Sequence, residues 1–233
     1  MSTSSQPRVQ RHRSVYDIVA ICFVAFLLIS NIVATKVIGI HIGPLMLVFD
    51  GGAVLFPLTY ILGDLLSEIY GFARAKRVIL TGFAVSILAS LTFLVVGAAP
   101  VGPGYENQDA FVAVLGFVPR IVAASVCGYL VGQLLNSWVL VRMRQRWGER
   151  NLWVRLIGST MVGELADTLI FCTIAFAGII PGWDFVNYVM VGYLYKVGVE
   201  VIFLPLTYAV IGAVRRWEQP ERNAAHEREV THD

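Results

Sequence analysis

The chain has 233 residues, of which 57% are hydrophobic and only 15% charged, with a mean hydropathy of +0.69. Ordinary soluble domains carry about a quarter charged residues, so this composition excludes them and indicates a membrane protein. The formal net charge of +2 is dealt out between apolar runs instead of pooled on one tail or face, which gives no footprint for a nucleic-acid partner.

The opening MSTSSQPRVQRHR is polar and basic, so residues 1–14 are expected to form a disordered cytoplasmic N-terminus. Six apolar runs of spanning length follow, near Val15 to Thr35, Ala53 to Tyr70, Val78 to Gly97, Arg120 to Val141, Leu156 to Ile180, and Tyr188 to Val214. The first run is too long for the apolar core of a signal peptide and lacks a small-x-small site at its end, so it reads as a span. After it, KVIGIHIGPLMLVFDGG alternates Ile38, Ile40 and Ile42 before Gly43-Pro44, a pattern closer to a short extracellular hairpin than to a helix. That hairpin is either a cap over a cavity or an irregular connector at the interface. From Glu218 onward, EQPERNAAHEREVTHD has too few apolar residues to pack, so residues 218–233 are expected to be a disordered cytoplasmic tail. The expected fold is thus an all-α membrane protein with six transmembrane helices in a single domain over residues 15–217.

Basic residues set the orientation. They cluster before the first span (Arg8, Arg11, Arg13), between the second and third (Arg74, Lys76, Arg77), between the fourth and fifth (Arg142, Arg144, Arg146, Arg150, Arg155), and after the sixth (Arg215, Arg216). Cytoplasmic loops carry such an excess, so both termini are expected inside. The segments APVGPGYENQDAF and PGWDFVN, without Lys or Arg, are expected outside. Trp147, Trp153, Trp183 and Trp217 fall near span ends, as interfacial anchors do.

Acidic residues within the spans are costly, about 2.5 to 3.5 kcal/mol each at the bilayer centre, and normally face a protein interior or a wet cavity. Tyr60, Asp64 and Glu68 recur at intervals of four on the second span. Glu164 and Asp167 share a face of the fifth, Lys196 and Glu200 a face of the sixth, and the first span adds Asn31 and Thr35. A rise of about 1.5 Å per residue puts Asp64, Glu164, Asp167 and Glu200 at one depth, roughly 10 to 17 Å from the cytoplasmic edge. Mutual pairing, Lys196 with Glu200 for instance, would lock helices together but leaves an excess of acid. Surplus carboxylates suit a cavity that receives hydrogen-bond donors or a cation, because ionised carboxylates only accept.

Pro57 and Pro205 fall inside the second and sixth runs, where proline is expected to break the helix and free carbonyls to line such a cavity. On the fourth run Ala124, Gly128, Gly132 and Asn136 form a stripe of small residues for close helix approach, within the chain or across a homodimer. Cys22, Cys127 and Cys172 lie within apolar runs, which speaks against a disulfide framework or a close-spaced metal site. No cofactor or metal is expected. The absence of G-x-x-x-x-G-K-[ST] leaves the chain without an ATPase of its own. An intramembrane aspartyl protease would need G-x-G-D, and the residues before Asp64 are Ile61, Leu62 and Gly63.

The blocks FDGGAVLFPLTYILGDLLSEIYGFARAKRVI, GELADTLIFCTIAFAG and YKVGVEVIFLPLTYAVIG resemble the queuosine-precursor transporter family, also called vitamin-uptake-transporter-like. That resemblance implies a small six-helix bacterial inner-membrane protein, similar in architecture to the substrate-binding subunits of energy-coupling-factor transporters. It implies uptake of 7-cyano- or 7-aminomethyl-7-deazaguanine for queuosine in transfer RNA, by a transporter and not an enzyme. It implicates Tyr60, Asp64, Glu68, Asp167, Lys196 and Glu200, while Glu164 stands where many relatives have a neutral amide. A deazaguanine would present N–H donors to carboxylates and a flat ring to Tyr or Phe. Another nucleobase or a vitamin-like molecule would satisfy much of the same chemistry. The expected partners are therefore a small deazapurine and membrane lipid, with a homodimer open and no ATPase module required.

Overall fold

The computed structural model describes residues 15–43, 45–147 and 152–230. The expected N-terminal segment 1–14, Pro44 and Arg150 lie outside them. The described chain is almost wholly helical: α1 (Val15–Val33), a hairpin of β1 (Val37–Ile42) and β2 (Leu45–Asp50), a 3-10 turn (Gly51–Val54), α2 (Phe56–Tyr70), α3 (Phe72–Ala98), α4 (Gln108–Leu115), α5 (Val118–Trp147), α6 (Leu152–Phe176) and α7 (Gly182–Val230). Among the described residues, five helical stretches are long and apolar enough to cross a membrane: α1, α3, α6, the α4–α5 stretch and α7 as far as Arg216.

The second expected span differs from this pattern. Its helix, α2, has 15 residues, about 22 Å at 1.5 Å per residue, short of the roughly 30 Å hydrocarbon core. The reason lies in the glycines ahead of it. Asp50 caps a 3-10 turn by accepting from Gly52 N at 2.8 Å, and Gly51 and Gly52 lie so close to α1 that an added Cβ would meet Val33 O at 2.4 Å and Ser30 Oγ at 2.9 Å. Pro57 therefore sits in the first turn of α2, where its missing N–H costs nothing, and it does not break a span as expected. Helix α7 runs on through Pro205 and through residues 218–230, where Ala, Glu and Arg favour helix on intrinsic propensity.

Gly71, at φ +82° and ψ 160°, separates α2 from α3 in a conformation only glycine adopts readily. The reversal brings Tyr70 against Tyr16 of α1 (ring centroids 5.0 Å apart) and Arg74 over the Tyr16 ring at 6.0 Å. The start of α1, the end of α2, the start of α3 and the far end of α7 thus meet at one pole. An apolar cluster of Val19, Phe23, Leu65, Leu66, Ala75, Val78 and Ile211 fills that pole. A second cluster, built on Ala34, Val48, Ile121, Cys172, Phe176, Tyr188 and Val189, fills the opposite one.

The expected hairpin is present, antiparallel, with Ile42 opposite Leu45 and Gly43 at φ +60°. It lies against α7. Asn187 donates through Nδ2 to Met46 O at 2.8 Å and accepts from Val48 N at 3.1 Å, pinning β2. The small-residue stripe of α5 packs against α6 of the same chain. A Cβ on Gly128 would meet Asp167 Oδ1 at 2.7 Å, and one on Gly132 would meet Gly163 O at 2.9 Å. The two helices are therefore in backbone contact at the depth of the acidic residues.

Candidate functional site

Between the two apolar clusters lies a cavity of about 920 Å³. Each cluster contributes to its ends: Phe23 and Ala75 at one, Ala34, Cys172 and Tyr188 at the other. Its walls hold the carboxylates Asp50, Asp64, Glu164, Asp167 and Glu200 against the ammonium groups Lys76 and Lys196. Tyr60, Asn31 and the aromatic residues Phe56, Phe171 and Tyr195 line it as well.

The ion pairing follows from the antiparallel packing of α6 and α7. Lys196 of α7 donates to Asp167 Oδ2 and stands 3.8 Å from Glu164 Oε2, with Nζ 5.5 Å from the centre of the Phe56 ring. Its partners are thus across the helix interface, not Glu200 on its own helix, because α6 presents two carboxylates where α7 passes. The α5 glycines decide this position: with no Cβ at Gly128 or Gly132, α5 presses directly on Asp167. Glu164 Oε2 is buried without a hydrogen-bond partner, and so is the Thr168 hydroxyl one turn along the same face. Thr168 itself is 2% exposed and lines the cavity.

At the hairpin end, Asp50 Oδ2 accepts from the Tyr188 hydroxyl at 2.6 Å. Tyr195 donates to Ala53 O at 2.8 Å, so three side chains of α7, at 187, 188 and 195, hold the hairpin and the 3-10 turn over that end. Tyr60 and Asp64 of α2 line the cavity together with Glu200 of α7. Asn31, which lines the cavity, donates to Ser86 Oγ at 3.4 Å and ties α1 to α3.

Of the residues singled out in the sequence, Asn31, Tyr60, Asp64, Glu164, Asp167, Lys196 and Glu200 come together around one cavity. Glu68 does not line it. Its Oε1 accepts from Arg215 Nη2 at 2.7 Å, and both side chains are more than half exposed. Sequence reasoning missed Asp50, Phe56, Thr168, Tyr188 and Tyr195. For Asp50 a signal was present: an acid followed by Gly-Gly inside an apolar stretch marks a backbone that must approach something closely. Tyr188 and Tyr195 look like ordinary interfacial aromatics until α7 is packed.

Such a cavity can hold a polar molecule of small-heterocycle size, accept several of its donors and stack against its ring. Among the described residues, no group of three or more His, Cys, Asp or Glu is placed to share a metal ion.

The family model described as "Putative vitamin uptake transporter" matches residues 50–210, the segment from the hairpin's end through most of α7. The chain belongs to this vitamin uptake transporter family. Every carboxylate of the cavity lies within the matched segment. Similar relatives include a "Probable queuosine precursor transporter" of Bacillus subtilis, 35% identical over 161 residues, covering 68% of this chain and 69% of the relative. The "Queuosine precursor transporter" of Escherichia coli is 33% identical over 165 residues, covering 69% of this chain and 71% of the relative. A "Probable queuosine precursor transporter" of Haemophilus influenzae is 29% identical over 163 residues, covering 69% and 67%. No solved structure gives a significant match. As a member of the vitamin uptake transporter family, with five helical stretches of spanning length, the chain is a multi-pass membrane transporter.

Proposed function

We propose that this transporter resides in the bacterial inner membrane and imports queuosine precursors, 7-cyano- and 7-aminomethyl-7-deazaguanine, for salvage into transfer RNA. The observation that carries the reading is the acceptor-rich cavity whose carboxylates all come from the family-matched segment. The names of its relatives supply the substrate. Asp64 and Glu200 accept the donors of the pyrimidine edge, Tyr60 orients Glu200, and Phe56, Phe171 or Tyr195 covers the ring. Helix α2 acts as a sixth spanning element, with the hairpin and 3-10 turn completing its outer portion. Non-helical backbone at membrane depth is tolerated where it lines a cavity. Both termini lie inside, since Arg74 and Arg215 belong to one pole of the bundle.

The chain works as a solitary carrier with no ATPase module. The deciding measurement is queuosine in transfer RNA of cells that cannot synthesise the precursor. Expression of this chain should restore it from micromolar external base. Cells that express the protein in the membrane and gain none would refute the assignment, and loss of uptake on deleting a copurifying ATPase would refute the solitary carrier.

A further inference from the structure

The α6 face at the cavity has acceptors that Lys196 does not reach within hydrogen-bond distance. Lys196 is tethered to α7 and bonds Asp167, but it stands 3.8 Å from Glu164 Oε2. That oxygen and the neighbouring Thr168 hydroxyl are buried with no hydrogen-bond partner, although the oxygen is ion-paired with Lys196. Unpaired buried polar atoms are uncommon in folded proteins and call for a partner. Glu164, Asp167 and Thr168 together offer three acceptors within little more than one helical turn, and all three residues line the cavity. A free alkylammonium carries three N–H donors. The Phe56 ring beside Lys196 Nζ completes a surface that suits a cation.

We propose that Lys196 is a built-in competitor for a substrate ammonium: it holds the α6 acceptors until a ligand carrying a short alkylammonium displaces it, so the site selects cationic deazaguanines over neutral ones. This rests on the transporter reading above and names the class of precursor that the site prefers. Displacement moves Lys196 toward the other acids of the cavity, of which Glu200 is one turn along α7, so neither charge is stranded. A cyano group offers no donor and leaves Lys196 where it is.

The test is equilibrium binding of 7-aminomethyl- and 7-cyano-7-deazaguanine to the purified full-length protein in lipid nanodiscs, compared with Lys196→Met and Glu164→Gln. Lys196→Met should bind the aminomethyl base at least tenfold tighter, equal to about 1.4 kcal/mol, and should raise its affinity relative to the cyano base at least fivefold. Glu164→Gln, which keeps the Lys196–Asp167 pair, should weaken the aminomethyl base selectively and at least fivefold. Equal shifts for both ligands, or weaker aminomethyl binding by Lys196→Met, would overturn the competitor role. Should Lys196→Met fail to fold, selectivity in Glu164→Gln decides alone, and unselective change there rejects the proposal. A wild-type protein that binds neither base defeats the transporter reading and this inference together. Binding of both bases without selective effects defeats only the inference.

Discussion

Asp64 and Glu68 stand one helical turn apart on α2, yet they serve different partners. Asp64 lines the cavity, whereas Glu68 reaches the exposed Arg215 of α7. Replacing Asp64 by Asn exchanges an acceptor-only group for one that presents a donor, and leaving a buried ligand donor unpaired costs roughly 1 to 3 kcal/mol. Asp64→Asn should therefore accumulate in the membrane normally and lose at least tenfold in affinity for a deazaguanine, measured on the purified protein; wild-type affinity would remove Asp64 from the ligand shell. Glu68→Gln should behave otherwise. An exposed pair contributes about 0 to 1 kcal/mol, so its affinity should stay within threefold of wild type and its thermal midpoint should fall by only a few degrees. A tenfold loss of affinity would return Glu68 to the site.

The seam between α5 and α6 is where element packing and site chemistry coincide. Gly132 and Gly163 sit opposite one another, each too close to the other's carbonyl to carry a side chain. The same contact fixes Asp167, and through it Lys196. Gly132→Val adds volume that only helix separation can accommodate, and overpacking of this kind costs about 1 to 3 kcal/mol. The expected outcome is a lower thermal midpoint in detergent together with weakened ligand binding, because Asp167 moves with α6. Retained stability and affinity would mean that the seam is looser than its geometry indicates. Gly158, which has only the flexible end of Met143 nearby at 3.4 Å, should tolerate Ala in the same assay.

At the scale of the whole molecule, two apolar clusters close the poles and leave the polar cavity between them. One pole gathers Arg74 and Arg215, the other is covered by the hairpin that α7 holds through Asn187, Tyr188 and Tyr195. If the basic pole faces the cytoplasm, a cysteine at Gly104, in the Lys- and Arg-free segment before α4, should react with a membrane-impermeant maleimide in intact cells. A cysteine at Arg216 should react only after the membrane is opened. Reversed labelling would invert the topology and turn the cavity's capped end toward the cytoplasm.

The sequence by itself determined that this is a helical membrane protein, because apolar runs of spanning length and a low charge fraction follow from composition alone. It also led to the expectation that Asp64, Glu164, Asp167 and Glu200 share one level, and in the structure all four line one cavity. The alternation of Ile38, Ile40 and Ile42 announced the hairpin, as period-two patterns do. Only the tertiary structure decided which groups pair. Helical spacing places Lys196 beside Glu200 and Asp64 beside Glu68, but rotation of α6 against α7 and of α2 against α7 gives Lys196 to Asp167 and Glu68 to Arg215. The shortening of α2 was equally hidden, because Ala53 to Tyr70 reads as one apolar run until Gly51 and Gly52 are seen pressed against α1. Hydrophobic pattern reports how deep a residue lies along its own helix, whereas its partner depends on the azimuth and approach of a helix distant in sequence, and here backbone contact at glycines set both.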